Sequence, residues 1–197
     1  MPIHLPQSRY RRMAWANGGG ETAEVARFPD GEAVAGFDWR ISIATIAADG
    51  PFSALPDIDR KFMPLEGNGV WLRIGDAEPR LMATGDDPIA FAGEESCACA
   101  LVDGPVRDLN LMTRRGICIG SVERMYGPGS LAFPAEMDTL LLLAEADTML
   151  RAGGRDYPLA RLDALYLDAT DQGIALELPD APLIVMRITR PEGYPER

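Results

Sequence analysis

The chain has 197 residues, 47% hydrophobic and 25% charged, as expected of a globular protein with room for one large domain or two small ones. Its net charge of −11 repels phosphate backbones and anionic lipid, which excludes nucleic acid and membrane surfaces as default partners. Sixteen prolines and twenty glycines, spread over the whole length, interrupt the chain too often for a helical bundle.

The opening Met1-Pro2-Ile3-His4 lacks the charged and apolar regions of an export signal, and no later apolar run reaches membrane-spanning length. A cytoplasmic location is therefore expected, with a mobile N-terminus and with Cys97, Cys99 and Cys118 packed as free thiols. Gly18-Gly19-Gly20 marks a place that needs positive φ or close backbone approach. A tight loop near a barrel mouth is the simpler account, because a phosphate cradle would need a P-loop lysine and a following helix. From Trp39 to Ile46 the residues Trp39, Ile41 and Ile43 alternate with Arg40, Ser42 and Ala44, the pattern of a two-faced strand. Asp59-Arg60 reads as a local ion pair in a loop, with a short turn just before it, between Ala54 and Asp59. Val70 to Ile74, Gly75-Asp76 and Leu81 read as strand, turn and strand. Further strands are expected over Ile89–Phe91, Cys97–Val102, Asp108–Arg114, Ile117–Val122, Thr139–Ala144, Ala164–Leu167, Ile174–Leu178 and Leu183–Thr189, with a second short turn near Leu159 to Ala164. So many short strands separated by turn residues predict an all-β sandwich or barrel.

An internal echo refines this. Leu72-Arg73-x-Gly75 with Leu81 recurs as Leu150-Arg151-x-Gly153 with Leu159, and Leu65 upstream has Leu143 as its counterpart. Two similar β-units, as in a duplicated jelly roll, would produce it. The junction is expected at Gly104 to Asp108, giving domains 1–105 and 106–197, with strands free to cross between them.

Two of the strands carry polar residues of an unusual kind. Arg40 and Ser42 share one face of the first, and Asp108, Asn110, Met112 and Arg114 share one face of the second. A solvent-facing sheet alternates in the same way. Small groups interleaved with Arg and Asn suit a pocket lining better than a Lys/Glu-rich exterior does. Arg40 or Arg114 would then grip a carboxylate bidentately, with Ser42 and Asn110 completing the hydrogen bonds. Trp15, Asn17 and Arg60 complete the candidate ligand-binding set. Trp15 either stacks on a planar ligand or fills the core.

The motifs that carry these residues resemble the HutD/Ves family of bacterial cupin-like proteins. Trp15, Asn17 to Gly20, Thr22 and Glu24 match its opening W-x-N-G-G-G-x-T-x-E pattern, and Trp39-Arg40-Ile41-Ser42 matches its W-R-I-S strand. Gly50-Pro51-Phe52-Ser53 and Asp59-Arg60 match its G-P-F-S and D-R elements, and Asp108 to Arg114 its D-x-N-x-M-x-R strand. The resemblance covers roughly the first 115 positions. It implies an all-β bicupin, two jelly-roll β-barrels of RmlC-like cupin architecture, without metal. It also implies a link to histidine utilisation, with a role in sensing or limiting an intermediate such as urocanate or formylglutamate.

The expected function is non-enzymatic binding of a small anionic metabolite in a regulatory role, with no cofactor. Two alternatives stay open. One is a cofactor-independent enzyme acting on a small carboxylic acid, with Glu24, Asp38 or Asp108 as general acid or base. The other is a partner-binding structural module. A homodimer is among the assemblies the sequence leaves open. Cupin enzymes hold iron, manganese or zinc through several histidines, whereas His4 is the only histidine here, which also removes Ser-His-Asp and Cys-His catalysis. The purified protein should therefore carry no stoichiometric transition metal, and chelators should leave its melting temperature unchanged. Elemental analysis showing one tightly held iron, zinc or manganese per chain would contradict this.

Overall fold

A computed structural model of the chain describes residues 1–31 and 36–191. It is built of strands in chain order: β1 (Ile3–Leu5), β2 (Arg11–Ala14), β3 (Gly20–Phe28), β4 (Trp39–Ile46), β5 (Gly50–Pro51), β6 (Ile58–Glu66), β7 (Val70–Ile74), β8 (Arg80–Met82), β9 (Ile89–Ala92) and β10 (Cys97–Leu101). There follow β11 (Val106–Arg114), β12 (Ile119–Met125), β13 (Gly129–Ala132), β14 (Thr139–Ala144), β15 (Thr148–Ala152), β16 (Arg155–Leu159), β17 (Ala164–Asp168), β18 (Ala175–Leu178) and β19 (Leu183–Thr189). The helical content of the described residues is two 3₁₀ turns, Gln7–Arg9 and Ala169–Asp171, while both expected short turns form as hydrogen-bonded turns, Ile58 N–H to the Leu55 carbonyl and Asp163 N–H to the Ala160 carbonyl. No helix among them is long and apolar enough to cross a membrane.

The chain divides into two compact units, one formed by Arg11–Ile117 and the other by Met1–Tyr10 with Cys118–Arg197. The junction expected at Gly104 to Asp108 is displaced by about ten residues, for a physical reason. Strand β11 is hydrogen-bonded on both sides, to β4 and to β6, so it is a central strand of the first unit and cannot begin the second. The turn signals before it mark a connection inside that unit.

In the first unit one sheet runs β2-β3-β4-β11-β6-β9 and the other β5-β10-β7-β8, all antiparallel. In the second the order is β1-β17-β14-β19-β12 and β13-β18-β15-β16. Advancing β4-β11-β6-β9 and β5-β10-β7-β8 by eight strands gives β12-β19-β14-β17 and β13-β18-β15-β16, so both units share one strand order. The sheets are open rather than closed on themselves.

The echo lies at matching places in this order, since Leu72 and Leu150 are buried on β7 and β15 and both hairpins turn at a glycine of positive φ, Gly75 at 56° and Gly153 at 57°. It fails at its last position. Leu159 is buried opposite Thr148, whereas Leu81 lies exposed opposite Trp71 and Met82 takes the inward place. The first hairpin's longer loop shifts its register, and a one-residue shift reverses the face.

Each unit packs its two sheets against one another. In the second, Phe133, Leu140, Leu142, Leu150, Leu165 and Leu176 belong to a single apolar core. In the first, Ile46, Phe62, Val70, Leu72, Cys97 and Cys99 fill one part of the interior, with both thiols free, buried and on one face of β10. Desolvation pushes the Cys99 thiol up to about 12, so it stays protonated and behaves as a small hydrophobe. Cys118 is likewise free and buried.

The N-terminus is anchored rather than mobile. Ile3–Leu5 pairs with β17, Asp163 accepts from the Gln7 backbone at 2.8 Å and contacts His4 Nε2 at 2.8 Å, and Tyr10 donates to the Leu162 carbonyl at 2.8 Å. Burial and the nearby Asp163 raise the Tyr10 phenol above its ordinary pKa.

The glycine run has a steric explanation. Gly18 has φ +71°, and a Cβ on Gly20 would lie 2.1 Å from the Thr45 carbonyl oxygen on the neighbouring strand. The Gly20→Ala substitution should thus destabilise the protein by about 1–3 kcal/mol, the usual range for forced overpacking. Denaturant unfolding that shows no loss would mean the β3–β4 contact is looser than drawn.

Candidate functional site

Strands β4 and β11 are covered on both faces, so their polar sides do not meet bulk water. Arg40 is 9% exposed, Ser42 1%, Asp108 1% and Asn110 4%, values that remove the solvent-facing account of the alternation. These side chains line a cavity of about 460 Å³ within the first unit. The register explains why they meet: Ser42 pairs with Asn110 and Arg40 with Met112, and Phe62 pairs with Asn110 from the other side. A bulge between Arg107 and Asp108 sets Asp108 opposite Pro64, where a residue without an N–H does least harm to the ladder.

Arg60 is the central residue of this site. It lies on β6, a strand the sequence did not reveal because Asp59-Arg60-Lys61 and Pro64 obscure its period. Asp59 does not pair with Arg60; successive strand residues point to opposite faces, and Asp59 instead accepts from Arg115 at 2.8 Å. Arg60 is 6% exposed, with its guanidinium carbon 5.0 Å from the Phe52 ring centroid and 5.1 Å from that of Phe91. Rings at that distance offer their negative faces to the cation. Arg60 makes no ion pair within 4 Å among the described residues. Its Nη2 donates to Asn110 Oδ1 at 2.9 Å, and Asn110 Nδ2 donates to Asp108 Oδ2 in a short contact.

This relay determines which way the Asn110 amide points. A guanidinium only donates, so the Asn110 atom facing it is the oxygen, and the amide nitrogen must face Asp108. Arg60 Nε and Asp108 Oδ1 are buried without a hydrogen-bond partner. Burial pushes the Asp108 carboxyl up to about 7, against the opposing pull of Arg60 and the Asn110 hydrogen bond.

Arg40 stands elsewhere on the lining and is already partnered. Its Nε donates to Glu24 Oε2 at 2.7 Å, and Glu24 also meets Arg11 at 2.9 Å and Arg27 at 4.0 Å. Three guanidinium groups thus approach one carboxylate beside the cavity.

Trp15 and Asn17 also line the cavity, from the hairpin between β2 and β3. Trp15 Nε1 donates to Thr22 Oγ1 at 2.8 Å, and Asn17 Oδ1 accepts from the Gly19 backbone at 3.0 Å, which holds the glycine loop in shape. Arg114 is not among the lining residues. It lies at the far end of β11, where its Nε donates to the Phe37 carbonyl at 3.0 Å and its backbone N–H donates to Asp38. Arg60, from the neighbouring β6, is on the lining instead. Of the three proposed acid–base carboxyls only Asp108 lines the cavity. Phe52 and Met112 complete the apolar part, Phe52 being half-visible in the G-P-F-S motif. Among the described residues no group of three or more His, Cys, Asp and Glu side chains is arranged to hold a metal.

Fold and site together define a cupin-like all-β protein whose first unit carries an arginine-lined cavity, with two units of like topology. The HutD family model matches residues 7–184, and the chain belongs to that family. It is 32% identical to a 21.2 kDa protein of the hutC 3′ region of Pseudomonas putida, over 92% of this chain and 94% of that one. It is 39% identical to protein Ves of Cronobacter sakazakii over 62% of this chain and 61% of Ves. The structure of HutD from Pseudomonas fluorescens SBW25 aligns with a TM-score of 0.82 at 28% identity, covering 97% of this chain and all of the other.

The Asp108 environment has a consequence for stability. Its folded pKa lies above the value of about 3.9 for a solvated Asp, so between the two the folded state holds a proton that the unfolded state has lost. Stability from this group is therefore present at low pH and is lost as pH rises toward 7, with a slope approaching about 1.4 kcal/mol per pH unit. The stability of Asp108→Asn relative to the natural protein should rise from pH 5 to pH 7 and then level off. Parallel denaturation curves across that range would contradict the raised pKa.

Proposed function

We propose that the first unit binds a small anionic metabolite, with Arg60 taking the ligand's carboxylate. The observation that carries this is a buried guanidinium, on the wall of a 460 Å³ cavity, held between two rings and an amide with no carboxylate in contact. A cation removed from water normally comes with its counter-ion, and one without it is suited to receive an anion from outside. Arg40, Ser42 and Trp15 supply the remaining polar and planar surface. The overall architecture is read as a bicupin, two jelly rolls, which the shared order of eight strands in each unit supports.

The pathway comes from kinship. A relative in a hutC 3′ region makes intermediates of histidine breakdown, urocanate and N-formylglutamate, the first candidates. The role is non-catalytic and regulatory, and the protein works in the cytoplasm without a cofactor.

A thermal-stability screen against urocanate, N-formylglutamate and formate tests this, because a ligand specific for the folded state raises its stability by RT ln(1 + [L]/Kd). Arg60→Ala should lower the affinity for the stabilising compound roughly ten- to a hundredfold, about 1.5–3 kcal/mol for a charge-assisted contact. Arg60→Lys should recover only part, since an ammonium lacks the planar fork. Arg114→Ala should bind as the natural protein does. Equal affinities for Arg60→Ala and the natural protein would remove Arg60 from the site.

A further inference from the structure

Arg60 and Asp108 are buried in one site without touching each other. Asn110 stands between them, and because its amide oxygen faces Arg60, Asp108 Oδ2 can only be an acceptor. Any proton on Asp108 therefore sits on Oδ1, the buried oxygen that has no partner. The charged and titratable groups around Asp108 are Arg60 from β6, Cys97 and Cys99 from β10 and, farther along the sheet, Arg40 with Glu24. Both thiols are raised by burial and stay neutral. Arg40 is held by Glu24. Among the described residues Arg60 is thus the one close charge that favours an ionised Asp108, opposed by the near-complete burial of the carboxyl.

We infer that anion binding at Arg60 is coupled to uptake of one proton by Asp108, so that the cavity captures its ligand as an anion together with a proton. This rests on reading the cavity as an anion site. An anion seated on Arg60 cancels the guanidinium field at Asp108, and burial alone then decides the state of the carboxyl. By linkage the dependence is reciprocal: whatever raises the proton affinity of Asp108 on binding makes binding weaker as protons become scarce. Since the free carboxyl stands near 7, the coupling falls in the range where small changes in acidity alter ligand capture. Below that range Asp108 is already neutral and affinity is flat; above it, each binding event must draw a proton from solvent.

The probe for the test is N-formyl-L-glutamate, whose carboxylates do not titrate between pH 6 and 8.5. Calorimetry in buffers of different ionisation heat should show uptake approaching one proton per ligand near pH 7.5–8, and affinity should fall roughly twenty- to thirtyfold from pH 6 to pH 8.5. Asp108→Asn should abolish both effects while still binding. Because that variant could fold poorly, the carboxyl carbon of Asp108 in isotope-labelled natural protein is followed as well, and its titration should move to higher pH when the probe is added. Binding with constant affinity and no proton uptake, or an Asp108 titration unmoved by the probe, overturns the coupling and leaves the anion site standing. No binding of N-formylglutamate, urocanate or formate at any pH overturns the anion site itself, and the coupling with it.

Discussion

A guanidinium withdrawn from water governs the interior of the first unit. A buried charge of this kind is tolerable only where its field is answered, and the elements around Arg60 contribute to that although its Nε stays without a partner. Phe52 and Phe91 lend their ring faces, Asn110 accepts its hydrogen bond, and Asp108 answers the charge at second hand through Asn110. Had Asp108 touched Arg60 directly, the two would form a closed ion pair with little to offer a ligand. The interposed amide keeps both groups in position while leaving the cation without a contacting counter-ion.

The two units show how one strand order supports different interiors. The second has a core rich in leucine, with Phe133, Tyr157 and Val185, so apolar packing joins its sheets. The first uses the same arrangement of β4, β11, β6 and β9 but sets Arg, Ser, Asp and Asn on the inward faces of its central strands. Polar residues at such positions disfavour tight closure and leave room for solvent or ligand. Duplication of a stable scaffold lets one copy keep a packed core while the other gives up some packing for a site.

Part of the lining was legible before the structure, because residue type departed from what an exposed strand needs. Arg40, Ser42 and Asn110 stood out on two-faced strands, and the W-x-N-G-G-G motif marked the hairpin that brings Trp15 and Asn17 to the cavity. Strand β6 was not legible, since a charged triplet and a proline hide its alternation and only its pairing with β11 and β9 makes it a strand. Arg60 was for that reason read chiefly as half of a loop ion pair, although it also stood in the candidate ligand-binding set. Arg114 was carried along by period-two extrapolation past the point where β11 leaves the cavity.

By itself the sequence determined the all-β character, the duplicated hairpins and the family, because these depend on local alternation, turn residues and ordered motifs. It also limited the candidate chemistry through its single histidine. Tertiary structure alone decided that both faces of β4 and β11 are covered, that β11 belongs to the first unit, that residues 1–10 complete the second, and that Arg60 rather than Arg114 meets Asn110. The reason is physical. Alternation states which residues share a face, but only the pairing of distant strands states what that face meets.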